Sequence, residues 1–253
     1  MKVRVIGIAG ASASGKTTLA KALQSYLGDD CCAILSVDAY YHDLSHLPKA
    51  ERIKTNFDIP EALDFRLLVE HVKSLKDHRS IPVPSYDFKT QCRSQKTMEL
   101  KPHRCLIIEG MLIFAYPELL SELDFNVYID VDETICFQHR FLRDIAERGF
   151  SKEMMHEKYQ EQNYPMFLKY VLPTKALAHL IIVNNAEANV SAHTFLGEIK
   201  RILSSVMSYV APSVPKLLME HHCFMRFFKS MRSREEESSG HSFSTEICQN
   251  LRV

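Results

Sequence analysis

The chain carries no excess of either charge, since 31 Lys and Arg stand against 31 Asp and Glu in 253 residues. That balance excludes a molecule-wide cationic field, and with it nucleic acid or an anionic membrane as the principal ligand; any phosphate has to be held locally. Long apolar runs are missing as well, and none approaches the roughly 18 residues of a membrane span. Met1-Lys2-Val3-Arg4 leads into a glycine-rich loop by Gly10, too early for the apolar stretch of a secretion signal, so a soluble, cytoplasmic protein is expected. The seven cysteines form neither short-spaced metal-binding clusters nor a disulfide framework, and reduced thiols follow. On that reading the Asn189-Val190-Ser191 sequon is chance. The remaining composition, 46 % hydrophobic and 25 % charged, is that of an ordinary globular protein with one main core.

Short apolar, β-branched runs alternate with helical patterns. Val3 to Ala9 is bounded by glycine and suits a parallel strand buried on both faces. Leu19, Leu23 and Leu27 then recur at helical spacing until Gly28-Asp29-Asp30 breaks the pattern. Ala33 to Val37, Cys105 to Ile108, Phe125 to Ile129 and Leu180 to Val183 read as further strands, with helices over Ala62 to Lys76 and Glu133 to Glu147. The alternation predicts an α/β fold around an open parallel sheet of about five strands flanked by helices. An insertion at about 79–101, opened by Ile81-Pro82-Val83-Pro84, is too polar and proline-interrupted for a central strand and reads as an edge hairpin or lid. Val190 to Tyr209 is expected to be a closing helix, so the main domain spans 1–210. The extension 211–253, with basic residues interleaved with Phe224, Phe227 and Phe228, reads as a flexible or partly helical tail, with an amphipathic membrane-surface or partner-binding helix as the alternative.

Gly10-Ala11-Ser12-Ala13-Ser14-Gly15-Lys16-Thr17 fits the Walker A pattern and lies between a predicted strand and a predicted helix. Small residues let successive backbone N–H groups turn around a β-phosphate while the helix N-terminus adds positive potential. Lys16 then neutralises phosphate oxygens, and Thr17 offers a hydroxyl to Mg²⁺. A Walker loop does not by itself separate a kinase from other nucleotide-binding proteins. Asp38 follows the second strand and Glu109 ends the third, so both project from the carboxyl edge of the sheet, where open α/β folds bind ligands. There Asp38 is positioned to take a proton from an attacking hydroxyl or to hold a metal-bound water, and Glu109 is a second magnesium candidate. Arg140, Arg143 and Arg148 share a broad helix face that suits a transferring phosphate. Asp144 and Glu147 stand four residues from the first two, however, so ordinary surface ion pairs explain the spacing equally well.

Gly10-Ala-Ser-Ala-Ser-Gly-Lys-Thr-Thr18, Val37-Asp38-Ala39-Tyr40-Tyr41, Asn56-Phe57-Asp58-Ile59-Pro60, Tyr86-Asp87-Phe88, Glu109-Gly110, Arg143-Asp144-Ile145-Ala146-Glu147-Arg148-Gly149 and Leu172-Pro173-Thr174-Lys175 occur in that order. Together they resemble the uridine-cytidine kinase family from about Val3 to Val183. The resemblance implies phosphorylation of a pyrimidine ribonucleoside at its 5′-hydroxyl, with ATP or alternatively GTP as donor and Mg²⁺ as cofactor. It implies Asp38 as general base, Lys16 and Arg143 on the transferred phosphate, and the loop from Gly10 through Thr18 around the nucleotide. Thr17 and Glu109 would lie near magnesium, and Asp58 would hold the ribose hydroxyls with Arg140 facing the nucleoside. Phe57, Tyr86 and Gln91 belong by the base, Tyr41 joins the substrate-binding set, Arg148 serves phosphate or lid closure, and a homotetramer is the usual assembly.

Departures from the family pattern fall mainly on the nucleoside side. Gln91 stands where many members have a base-contacting histidine, and its amide suits either uracil or cytosine. Phe150 replaces an arginine and Lys158 a glutamine; on the nucleotide side, Asn184-Asn185 replaces Arg-Gly. Loss of a buried hydrogen-bond partner can shift specificity by orders of magnitude. Two other readings stay open at this point: a kinase for another small acceptor such as nicotinamide riboside, and a catalytically weak nucleotide-binding regulator.

Overall fold

A computed structural model describes residues 2–184. The expected closing helix, the tail and Asn185 lie outside the described residues. Five strands form one parallel sheet: β1 (Arg4–Gly10), β2 (Cys32–Ser36), β5 (Cys105–Glu109), β6 (Phe125–Asp130) and β7 (Leu180–Val183), in the order β2-β5-β1-β6-β7. Every residue of β5 and all but the first of β1 are buried, as their unbroken apolar character requires in a sheet covered on both faces. β3 (Ile81–Asp87) and β4 (Cys92–Leu100) form a separate antiparallel hairpin with a register shift between Pro84 and Tyr86.

The main helices are α1 (Lys16–Leu27), α3 (Phe65–Lys76), α5 (Glu133–Arg148) and α6 (Lys152–Lys158), with single turns α2 (Lys49–Arg52), α4 (Pro117–Leu120) and α7 (Tyr164–Met166). α3 begins three residues later than its apolar pattern suggests. Pro60–Ala62 forms a separate 3₁₀ turn, Leu63 bridges to Tyr41, and the Asp64 side chain caps the helix by accepting from Leu67 N–H at 3.1 Å. The sequence periodicity gives no sign of the helical path from Lys152 to Leu177, because two π-helical turns, Tyr159–Asn163 and Phe167–Val171, interrupt the 3.6-residue repeat.

Chain order reverses at β1, since β5 and β2 lie on one side of it and β6 and β7 on the other. Such a switch point opens a crevice at the carboxyl ends of the strands. Ser36 pairs with Glu109, and Glu109 with Ile8, so β2 and β5 end level and β1 runs on past them to Gly10 at the same edge. Gly10 ends β1 at φ 144°, and a Cβ there would meet the Ile129 carbonyl oxygen at 2.5 Å. Gly10→Ala is therefore expected to cost about 2 kcal/mol or more, read as a lower midpoint in urea unfolding; an unchanged midpoint would show that the loop can shift without cost.

Candidate active site

The loop between β1 and α1 builds an anion cradle. Ala13 (φ 63°) and Gly15 (φ 98°) take left-handed backbone, which bends successive N–H groups toward one centre. α1 has no side-chain cap and no acid in its first turn, so its free N–H groups and positive dipole end face the crevice. Lys16 is buried and its Nζ donates to the Ala11 carbonyl at 2.6 Å. Burial pulls its pKa below the ordinary lysine value, opposed by the nearby carboxylates of Glu109 and Asp38.

Asp38 lies on a 3₁₀ turn, Val37–Tyr40, immediately after β2, and is exposed. Glu109 is its buried counterpart: Ser36 Oγ donates to its Oε1 at 2.7 Å, and Thr17 at the start of α1 adds a second hydroxyl beside it. Desolvation, with Asp38 adding, raises its pKa above the ordinary carboxylate value, while Lys16 and the two hydroxyls oppose the rise. A hydroxyl and a carboxylate so joined are oxygen donors of the kind that hold magnesium.

Asp58, 3 % exposed, accepts two bonds from Arg140, at 2.6 and 3.1 Å, and a third from Asn163 Nδ2 at 2.8 Å. Asp144, on the same helix as Arg140, is equally buried and faces three guanidinium groups: Arg143 at 2.9 Å, Arg148 at 3.3 Å and Arg140 at 3.5 Å. The spacing of Asp144 from Arg140 is thus no surface pair, and among the described residues Arg143 makes no ion pair with Glu147. Arg143 also donates to Ser12 Oγ at 3.3 Å, which ties α5 to the phosphate loop.

Aromatic rings close the other end. Tyr41 lies within 6 Å of Phe57, Tyr86 and Phe88, at 5.5, 5.3 and 5.9 Å between centroids. Burial pushes the Tyr41 and Tyr86 phenols upward, so both stay neutral. Arg148 stacks over Phe88 at 4.0 Å, joining the hairpin to α5. Arg93 fastens the hairpin's other strand, donating to the Tyr40 carbonyl at 2.9 Å and the Tyr41 carbonyl at 3.1 Å. Gln91 is buried at φ 57° in the hairpin turn. Lys158 Nζ sits 5.9 Å from the Phe57 ring and 5.6 Å from the Phe150 ring, so two of the departures noted above are neighbours. Burial pulls Lys158 below its ordinary pKa, and Arg140 acts in the same direction.

These groups share one cavity of about 350 Å³. Ser12, Ala13, Gly15, Lys16, Thr17, Thr18, Asp38, Glu109 and Arg143 line it from the phosphate side. Tyr41, Phe57, Asp58, Tyr86, Gln91, Arg140, Arg148 and Lys158 line it from the other. Gly10, Ala11 and Ser14 are the expected loop residues that do not. Gly10 backs the loop against Ile129, Ala11 gives its carbonyl to Lys16, and Ser14 is buried beneath, with its own carbonyl accepting from Asn184 Nδ2 at 3.4 Å. Sequence reasoning missed Asp144, Asn163 and His139 as lining residues. Asp144 carried a signal, standing four residues from both Arg140 and Arg148; Asn163 carried none.

A parallel sheet with a Walker loop at its switch point, facing two strand-end carboxylates and three arginines, defines a P-loop kinase. Within that class the chain belongs to the phosphoribulokinase / uridine kinase family, whose profile matches residues 5–191. It is 38 % identical over 204 residues to a uridine kinase of Shewanella amazonensis, covering 79 % of this chain and 96 % of the relative. It is 40 % identical over 204 residues to a uridine kinase of Clostridium novyi, covering 81 % and 98 %. Among solved structures, phosphoribulokinase from Rhodobacter spheroides superposes with a TM-score of 0.58 at 13 % identity over 74 % of this chain and 73 % of that one. D-glycerate 3-kinase from Cryptococcus neoformans gives 0.51 at 18 % identity, over 68 % and 80 %. These two share the fold. No helix among the described residues is long and apolar enough to cross a membrane.

Asp144→Ala is expected to leave three guanidinium groups without their shared carboxylate and to cost about 3 kcal/mol of stability. Denaturant unfolding measures this; a loss below about 1 kcal/mol would return Asp144 to the status of a surface pair.

Proposed function

We propose that this chain transfers the γ-phosphoryl group of ATP to the 5′-hydroxyl of uridine, cytidine or both, yielding UMP and CMP. The observation that carries the reading is the single cavity lined both by the Lys16–Thr17 loop with Asp38 and by the buried Asp58–Arg140 pair. One end suits a triphosphate and the other a polyhydroxyl acceptor. Kinship with curated uridine kinases supports a nucleoside as that acceptor.

In this reading the N–H groups of the loop and α1 hold the β-phosphate, and Lys16 neutralises oxygens of the β- and γ-phosphates. Arg143 and Arg148, held by Asp144, face charge on the transferring group. Asp38, exposed at the mouth of the crevice, accepts the proton of the 5′-hydroxyl as that oxygen attacks phosphorus. Asp58 and Arg140 hold the ribose. Tyr41, Phe57 and Tyr86 enclose the base, whose edge Gln91 reads with an amide able to match uracil or cytosine. Lys158 adds a donor between Phe57 and Phe150. The β3–β4 hairpin serves as the lid, drawn over the site by the Arg148–Phe88 contact.

Magnesium fits Thr17 and Glu109. Among the described residues no cluster of three or more His, Cys, Asp or Glu side chains gathers, and Mg²⁺ that keeps waters and substrate phosphates as ligands needs only one or two protein oxygens. Bound there, it would offset phosphate charge and oppose the upward shift that burial gives the Glu109 carboxyl. The family resemblance further supports a homotetramer, which light scattering of the full chain measures.

A coupled ADP-release assay with uridine, cytidine, adenosine, thymidine and nicotinamide riboside tests the reading. Turnover is expected with uridine or cytidine, to be abolished by EDTA, and to fall about 10²–10⁴-fold in Asp38→Asn while ATP binding persists. ATP binding without turnover on any acceptor would sink the proposal in favour of a nucleotide-binding regulator.

A further inference from the structure

Asn163 lines the cavity but has no part in the roles above. It is 8 % exposed, and its Nδ2 donates to Asp58 Oδ2 at 2.8 Å. A carboxylate paired with a guanidinium only accepts, so the amide nitrogen must be the atom that faces Asp58. Among the described residues the amide oxygen Oδ1 is buried without a hydrogen-bond partner, so the side chain's hydrogen bonding is given to Asp58 alone.

The backbone departs from regularity at the same place. Asn163 ends the π-helical turn that begins at Tyr159, with Tyr164 N–H donating to the Tyr159 carbonyl five residues back. In a regular α-helix, residues five apart lie about 140° apart around the axis. Here Lys158 and Asn163 both line the cavity. Pro165 lacks an N–H and its ring crowds the carbonyl four residues earlier, which bars the ordinary ladder and favours the wider turn.

We propose that Asn163 is a positioning residue for the acceptor's sugar, fixing Asp58 so that the enzyme prefers ribonucleosides to their 2′-deoxy analogues. The inference rests on the nucleoside kinase reading given above. Asp58 Oδ2 is occupied by Arg140 at 2.6 Å and Asn163 at 2.8 Å, while Oδ1 receives only Arg140 at 3.1 Å. Of roughly four lone-pair directions on a carboxylate, three are used, and the spare one belongs to Oδ1. The carboxylate cannot turn that direction away without breaking a bond to Arg140 or Asn163. A sugar hydroxyl donating to Oδ1 thus meets an acceptor of fixed orientation, and an analogue lacking the hydroxyl leaves it unpaired.

Steady-state kinetics of the full chain with uridine, 2′-deoxyuridine and varied ATP test this in Asn163→Leu and Asn163→His. Leucine removes the donor, and KM for uridine should rise roughly tenfold, with kcat and the KM for ATP within about twofold. The ratio of kcat/KM for uridine over 2′-deoxyuridine should fall by a similar factor, and histidine, which restores an N–H, should recover part of it. An unchanged ratio, or equal losses on both nucleosides, overturns the proposal and leaves Asn163 a packing residue. If the leucine variant does not fold, Asn163→Ser is read by the same ratio. Failure of the unsubstituted protein to phosphorylate uridine would sink the kinase reading itself, whereas an active protein whose ratio ignores the substitution sinks only the role of Asn163.

Discussion

Two buried carboxylates, Asp58 against α5 and Asp144 on it, hold the guanidinium groups that line the cavity. Arg140 reaches both, at 2.6 Å to Asp58 and 3.5 Å to Asp144, and Arg143 continues the chain to Ser12 in the phosphate loop. Charges of this kind are costly to bury singly, and here each is offset by an opposite neighbour. The result is a continuous polar path from Asn163 through Asp58, Arg140, Asp144 and Arg143 to the loop that carries Lys16. Asp58 and the phosphate loop are thereby fixed relative to each other. Phosphoryl transfer depends on that, because positioning and charge stabilisation supply most of its catalysis.

The sheet sets where this path runs. Reversal of strand order at β1 opens the crevice, and the short turn after β2 delivers Asp38 to its edge while Glu109 ends β5 beside it. Neighbouring positions have opposite environments: Asp38 is exposed and Glu109 is buried with a raised pKa. Two acids in one site are thus separated by environment, one open to solvent and the other buried with Ser36 donating to it. Arg93 and Arg148 pin the hairpin at two points, so its aromatic face is held against Tyr41.

The five strands and the Walker loop were legible because their signals are local. An unbroken apolar run such as Cys105 to Ile108 reports burial on both faces, and glycine with small residues at Gly10 to Gly15 reports a loop that must turn tightly. The start of α3 was misjudged because Ala62 and Leu63 continue the apolar pattern while a 3₁₀ turn and a bridge to Tyr41 occupy them. The helical path after Gly149 was not legible, since π turns around Pro165 break the repeat on which such readings depend. Asp144 looked like half of a surface pair, and periodicity cannot tell an exposed i,i+4 pair from a buried one.

The sequence by itself determined the sheet, the phosphate loop, and the strand-end acids Asp38 and Glu109, because each follows from residues near one another in the chain. Tertiary structure decided which charged side chains are buried together, and why Asn163, 105 residues from Asp58, meets it. That contact depends on the wider helical turn ahead of Pro165 and on Arg140 of α5 holding the same carboxylate, neither of which any window of sequence contains.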